Sequence, residues 1–149
     1  MEKLTLPNQF LEIAEESLRE GKSVNILADG KSMFPFIRGG KDVSEIIPLP
    51  AEEPLKLWHG YMFRHNGSYV IHRLVGREGD KYAMLGDGNL KIKEIVARED
   101  VIGILSKVIK PSGKRVNCLS SGWLLRGRIW YALRPFRRYL LAIARRLYK

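Results

Sequence analysis

The dipeptide Asn66-Gly67 stands between two largely apolar runs, residues 61–64 and 68–75. Both of its residues tolerate positive φ, so the pair closes a two-residue hairpin. A hairpin this clear commits the surrounding chain to antiparallel β-structure. Further short runs keep the same rhythm: residues 23–27, 42–47, 81–85 and 101–109 read as strands. Gly39-Gly40, the proline-containing stretch 48–54, Glu78-Gly79-Asp80 and Gly86-Asp87-Gly88 separate them as turns. The expectation is a mostly β fold with some α-structure, a compact antiparallel β domain over residues 23–119. An N-terminal helix precedes it within residues 1–22. Pro7 lies near its start, Gly21 closes it, and Phe10, Ile13, Ala14, Ser17 and Leu18 recur at helical spacing.

The character of the chain changes near Ser120. Residues 120–149 combine Trp123, Trp130, Tyr131, Phe136, Tyr139 and Tyr148 with eight basic residues, and Pro135 divides them. From Phe136 onward, Phe136, Tyr139, Leu140, Ile143 and Leu147 share one helical face. Arg137, Arg138, Arg145 and Lys149 fall largely on the other, which makes a basic amphipathic helix. The formal net charge is +10, and residues 101–149 contain twelve basic and no acidic side chains. The excess is therefore confined to the last third, which does not describe an evenly basic nucleic-acid-binding surface. Nucleic acid is not the expected partner. An anionic membrane surface is one candidate for the tail and a partner protein another. A third reading packs its apolar face on the β domain and leaves the arginines solvated. The 149 residues suit one structural domain overall.

The lone Cys118 excludes an internal disulfide and a multi-thiolate zinc site. No apolar leader follows Met1, and no run of about 20 apolar residues is present. A cytoplasmic location is expected, peripheral to the inner face of a membrane if the tail docks there.

Three short segments carry side chains suited to acyl transfer. In the first, Ser32 sits between Gly30 and the run Met33, Phe34, Phe36, Ile37, with Pro35 fixing a bend. Such a bend either holds a plain hydrogen-bonding serine or presents a nucleophile beside backbone N–H donors for an oxyanion. In the second, a strand through residues 68–75 places Val70, His72 and Leu74 on one face. His72 then projects among apolar neighbours, either as a satisfied core histidine or as a base kept neutral by burial. In the third, Asp87 lies in a glycine-flanked turn, where it either caps the turn or orients His72. His59 and His65 stand beside Gly60 and Gly67 in turn-like stretches, and their spacing with His72 suggests no metal site.

In this order the segments resemble the boxes of the type I signal peptidase superfamily, which includes the self-cleaving LexA-like domain of SOS-type repressors. Ser32-Met33 followed by Pro35, with a glycine-rich turn ending at Asp42, resembles the nucleophile box. Ile71-His72-Arg73 resembles the second catalytic box in its histidine form, found in archaeal, endoplasmic-reticulum and some Gram-positive members. Gly86-Asp87-Gly88-Asn89 resembles the Gly-Asp-Asn box, and Glu99-Asp100-Val101-Ile102-Gly103 resembles the closing motif. Together they span about residues 24–108. The chain departs from the pattern at Lys31, where the family has Ser or Gly, and at Tyr61, where it often has Asp.

The resemblance implies a LexA/signal-peptidase-like β fold and serine endopeptidase activity through a Ser32–His72 dyad, without cofactor or metal. Ser32 would be the nucleophile and its backbone N–H an oxyanion donor. His72 would be the general base. Asp87 would orient it, with Glu94 as the alternative acid. Met33 and Pro35 would contact a peptide or protein substrate.

Overall fold

The computed structural model describes residues 8–27, 33–50, 52–88 and 93–147. Helix α1 (Asn8–Arg19) leads into β1 (Val24–Leu27), β2 (Val43–Pro48), β3 (Gly60–His65), β4 (Ser68–Glu78), β5 (Lys81–Leu85), β6 (Glu94–Val96), β7 (Val101–Ile109) and β8 (Arg115–Asn117). Helix α2 (Ser121–Ala132), a 3₁₀ turn (Arg134–Phe136) and α3 (Arg137–Leu147) complete the chain. The strands form one antiparallel sheet in the order β1-β2-β7-β3-β4-β5-β6, with β8 added to β7. The fold is therefore mostly antiparallel β with an N-terminal helix and C-terminal helices.

The hairpin at Asn66-Gly67 has φ of 50° and 75°, and it pairs His65 with Ser68 and Tyr61 with His72. Strand β4 runs three residues further than the sequence suggests, to Glu78. An irregularity between Leu74 and Gly76 inserts Val75 and lets the strand bend. Strands β6 and β8 are not apparent in the sequence pattern. Each has three residues and carries polar side chains, too little for a period to show.

The two faces of β4 serve different clusters. Val70 and Leu74, before the irregularity, pack with Tyr61, Phe63, Tyr82, Met84, Val96 and Val101. Tyr69 and Ile71 join a second cluster with Leu11 and Leu18 of α1, Ile26, Ile46, Leu105, Cys118 and Trp123 of α2. Buried Glu15 ties α1 to the sheet by accepting hydrogen bonds from Tyr69 Oη at 2.7 Å and Arg64 Nη1 at 3.2 Å. Burial and that carboxylate push the Tyr69 hydroxyl up to about 12.

The N-cap of α2 is Ser120, whose Oγ accepts from Trp123 N–H at 3.2 Å. The helix buries Trp123 and Gly127. A Cβ at Gly127 would stand 2.0 Å from Arg73 Nη1 and 2.4 Å from its Cζ, so the missing side chain is what admits Arg73. Gly127→Ala is expected to destabilise the fold by about 1–3 kcal/mol, although alanine favours a helix interior over glycine by nearly 1 kcal/mol. A methyl group at Gly122, in the same helix, would meet nothing within 4 Å. Gly122→Ala is expected to be neutral or stabilising by up to about 1 kcal/mol. Denaturant unfolding of both variants checks the opposite signs.

Candidate functional site

His72 and Arg73 are consecutive on β4, so their side chains leave opposite faces. Each meets a buried carboxylate. His72 is 0% exposed, and its Nδ1 hydrogen-bonds Glu94 Oε1. Glu94 opens β6, which reaches β4 only across β5. The arrangement depends on where β5 ends. Arg73 pairs with Leu85, the last residue of β5, and the same register continued by one residue sets Gly86 opposite His72. Glycine has no side chain to compete with the Glu94 carboxylate for that space. With Nδ1 engaged by the carboxylate, Nε2 is the ring nitrogen left for another contact. Nε2 is buried and has no hydrogen-bond partner among the described residues. Phe63 meets the ring edge-on at 6.0 Å.

Asp87 does not orient His72. Its oxygens accept from Arg73 Nε at 2.8 Å and Nη2 at 2.7 Å, on the other side of the strand. The two-pronged guanidinium matches a carboxylate better than an imidazole does, and both groups are buried, so the pairing is exclusive. Arg73 Nη1 also donates to the Trp58 carbonyl at 2.7 Å. Trp58 has φ of 75°, a left-handed conformation that is costly for a bulky residue and is held here by that contact. The guanidinium lies 3.9 Å from the centre of the Trp123 ring and 5.3 Å from that of Phe36. Trp130 Nε1–H donates to the Asp87 carbonyl at 2.6 Å.

Ser32 falls within residues 28–32, outside the described residues, as does Asn89 of the glycine-flanked box. The chain immediately after Ser32 is firmly anchored. The Ile37 N–H donates to the Met33 carbonyl at 2.9 Å, and the Phe34–Pro35 peptide is cis. Phe36 meets Trp123 and Trp130 edge-on at 6.3 and 6.1 Å. Asp42, wholly buried, accepts from Arg38 N–H at 2.8 Å and Lys110 Nζ at 2.7 Å. Lys110 Nζ also reaches the Phe36 carbonyl at 3.2 Å. The Met33 side chain, expected as a substrate contact, is turned inward. It is 5% exposed and belongs to the α1-side cluster, because that cluster offers an apolar side chain more than the surface does. Pro35 remains partly exposed.

His59 is enclosed where its sequence neighbourhood suggests only a turn. It is 8% exposed, and its Nδ1 has no partner among the described residues. It lines a groove of about 540 Å³ with Ile47, Leu49, Tyr61, Ile104, Leu119 and Leu124. Tyr61, the cross-strand partner of His72, links the groove to the histidine strand, and its other described lining residues lie outside β4. Only the neighbouring aromatic and proline residues hint at the enclosure. Cys118 is no rival nucleophile, since burial pushes its thiol up to about 12 and keeps it protonated. No cluster of metal-ligating side chains occurs among the described residues.

No family model matches the chain, and no curated protein matches it.

Two measurements bear on this geometry. Asp87→Ala leaves the Arg73 charge buried without its counter-ion and is expected to cost about 3–5 kcal/mol in denaturant unfolding. Burial, with Lys56 and Arg73 nearby, lowers the His59 imidazole below its usual 6.5. The unfolded chain then binds this proton more readily than the folded one. The resulting stability is present above about pH 6.5 and lost as pH falls through the window below it. Wild-type protein should therefore lose more Tm between about pH 7.5 and 5.5 than His59→Gln does.

Proposed function

We propose that this protein is a serine endopeptidase of the signal-peptidase and LexA-like type, with Ser32 as nucleophile and His72 as base. The observation that carries the reading is the His72 ring, held at Nδ1 by buried Glu94 while Nε2 has no partner among the described residues. A base for acyl transfer needs that division of roles: one nitrogen fixed by an acid, the other free to take a proton. The ordered motifs on which the resemblance rests add support, and so does the groove beside Tyr61, suited to apolar side chains of an extended peptide.

In this mechanism Ser32 Oγ attacks the scissile carbonyl carbon as its proton passes to His72 Nε2. The tetrahedral oxyanion takes hydrogen bonds from backbone donors, the Ser32 N–H among them. The C–N bond breaks, Nε2 returns the proton to the leaving amine, and an acyl ester remains on Ser32. Water then attacks the ester as its proton passes to Nε2, the C–Oγ bond breaks, and Nε2 returns the proton to Ser32 Oγ as the acid leaves. Glu94 is the orienting acid: it holds the tautomer and balances the imidazolium that forms twice per turnover. Asp87 has a different part. With Arg73 it braces the strand and turn that present His72.

A second reading, a catalytically inactive peptide- or membrane-binding module on the same scaffold, draws on the complete burial of His72. Cleavage of a degenerate peptide library, with cut sites mapped by mass spectrometry, separates the two. Under the peptidase reading Ser32→Ala abolishes cleavage, His72→Ala lowers it by about 10²–10⁴-fold and Glu94→Gln by a smaller factor. Cleavage that survives Ser32→Ala overturns the reading.

A further inference from the structure

The C-terminal helices leave apolar residues uncovered in a pattern that the β domain does not explain. Phe136, Tyr139, Ile143 and Leu147 are 62%, 66%, 56% and 76% exposed. Their spacings of three, four and four place them on one stripe of the helical turn. Leu141, 2% exposed, lies on the far side of α3 from that stripe. Leu141 is thus buried while the apolar stripe of α3 faces outward. The same division occurs in α2. Trp123, Gly127 and Trp130 face the Arg73–Asp87 pair, whereas Leu125 and Ile129, one turn apart, are 56% and 50% exposed.

Arginines flank the exposed apolar residues of α2 and lie largely on the other face of α3 from its stripe. Arg126, Arg128, Arg134, Arg138, Arg145 and Arg146 are all exposed, and none forms an ion pair among the described residues. No acidic residue occurs after Asp100. We infer that α2 and α3 dock this protein on the surface of an anionic lipid bilayer, with the exposed apolar side chains in the headgroup–acyl boundary and the arginines on lipid phosphates.

Three features choose this occupant. A polyanion such as nucleic acid satisfies the arginines but offers nothing to an Ile143–Leu147 stripe, whereas a bilayer interface offers both environments at one depth. A second copy would bring the same unneutralised basic segment against this one, and like charges oppose that contact. Exposed apolar residues also occur on both α2 and α3, more than a single narrow groove would cover. Neither helix crosses the bilayer. No helix among the described residues is long and apolar enough, and twelve residues span only about 18 Å against a hydrocarbon core of about 30 Å. The docking is therefore in-plane. Because the inner face of α2 holds Arg73 and Asp87, a bilayer bound by its outer face lies at a set distance from the His72 strand.

Flotation of the full-length protein with vesicles tests the inference, using phosphatidylcholine alone and a mixture containing about one-quarter phosphatidylglycerol. Binding is expected to the mixed vesicles and to weaken with added salt. An Arg138→Gln/Arg145→Gln/Arg146→Gln variant should bind them about 100-fold more weakly, since each basic residue near an anionic surface contributes roughly fivefold. Ile143→Ser/Leu147→Ser keeps every charge and should also lose most binding. All five positions are exposed, and an unchanged melting curve verifies that the fold persists. Failure to float with the mixed vesicles overturns the inference, as does equal binding by wild type and either variant. Dimerisation abolished by the serine variant, in the absence of lipid, assigns the stripe to a second copy and overturns it too. Tight oligonucleotide binding that is indifferent to the serine variant, without vesicle binding, does the same.

Discussion

The Arg73 guanidinium is the constraint around which the rest of this protein is arranged. A charge in a 1%-exposed position is tolerable only with a counter-ion and hydrogen bonds on every side. Here Asp87 supplies the charge, the Trp58 carbonyl a further acceptor, Trp123 and Phe36 the aromatic walls, and Gly127 the clearance. Those five residues come from four separate parts of the chain. One side chain thereby gathers the loop before β3, the turn after β5, the segment following Ser32 and helix α2. The arrangement is demanding: each partner has one acceptable geometry, and that rigidity passes to the neighbouring residue on the strand, His72.

Strand alternation then performs a separation of labour. Because His72 and Arg73 are adjacent, fixing one fixes the direction of the other, yet they lie in different surroundings. The imidazole is among Phe63 and the cluster beneath β5 and β6, and its own acid comes from β6. Two buried carboxylates near one strand could have competed for the same base. The sheet prevents this by standing between them.

Much of the architecture is legible in the sequence. Asn66-Gly67 announces its hairpin because the turn needs positive φ at two places, a local requirement. Strands β5 and β7 have the expected limits for a similar reason: turn residues bound them sharply. What stays hidden is non-local. Glu94 stands in a lysine-rich stretch and enters only as the alternative acid through the resemblance; the sheet order is what brings it to a histidine two strands away. Asp87 reads as the partner of the histidine because both belong to polar boxes. Nothing in the linear chain signals that Arg73, ordinarily a solvent-facing residue type, is the better partner. The tail is a mixed case. The amphipathic pattern of α3 is plain, but α2 carries aromatic residues on a face whose partner is that same buried arginine, so its membership of the core is invisible without the fold.

That membership moves a boundary. Composition suggests cutting the molecule before Ser120, yet the hydrogen bond from Trp130 to the Asp87 carbonyl stitches the first half of the tail to the turn after β5. The natural seam lies at the turn through Pro135 instead. Upstream of it the helix is masonry, and downstream the chain is an outrigger. Changes to the outrigger's exposed stripe leave those foundations alone, whereas a graft made fifteen residues earlier would pull out the keystone.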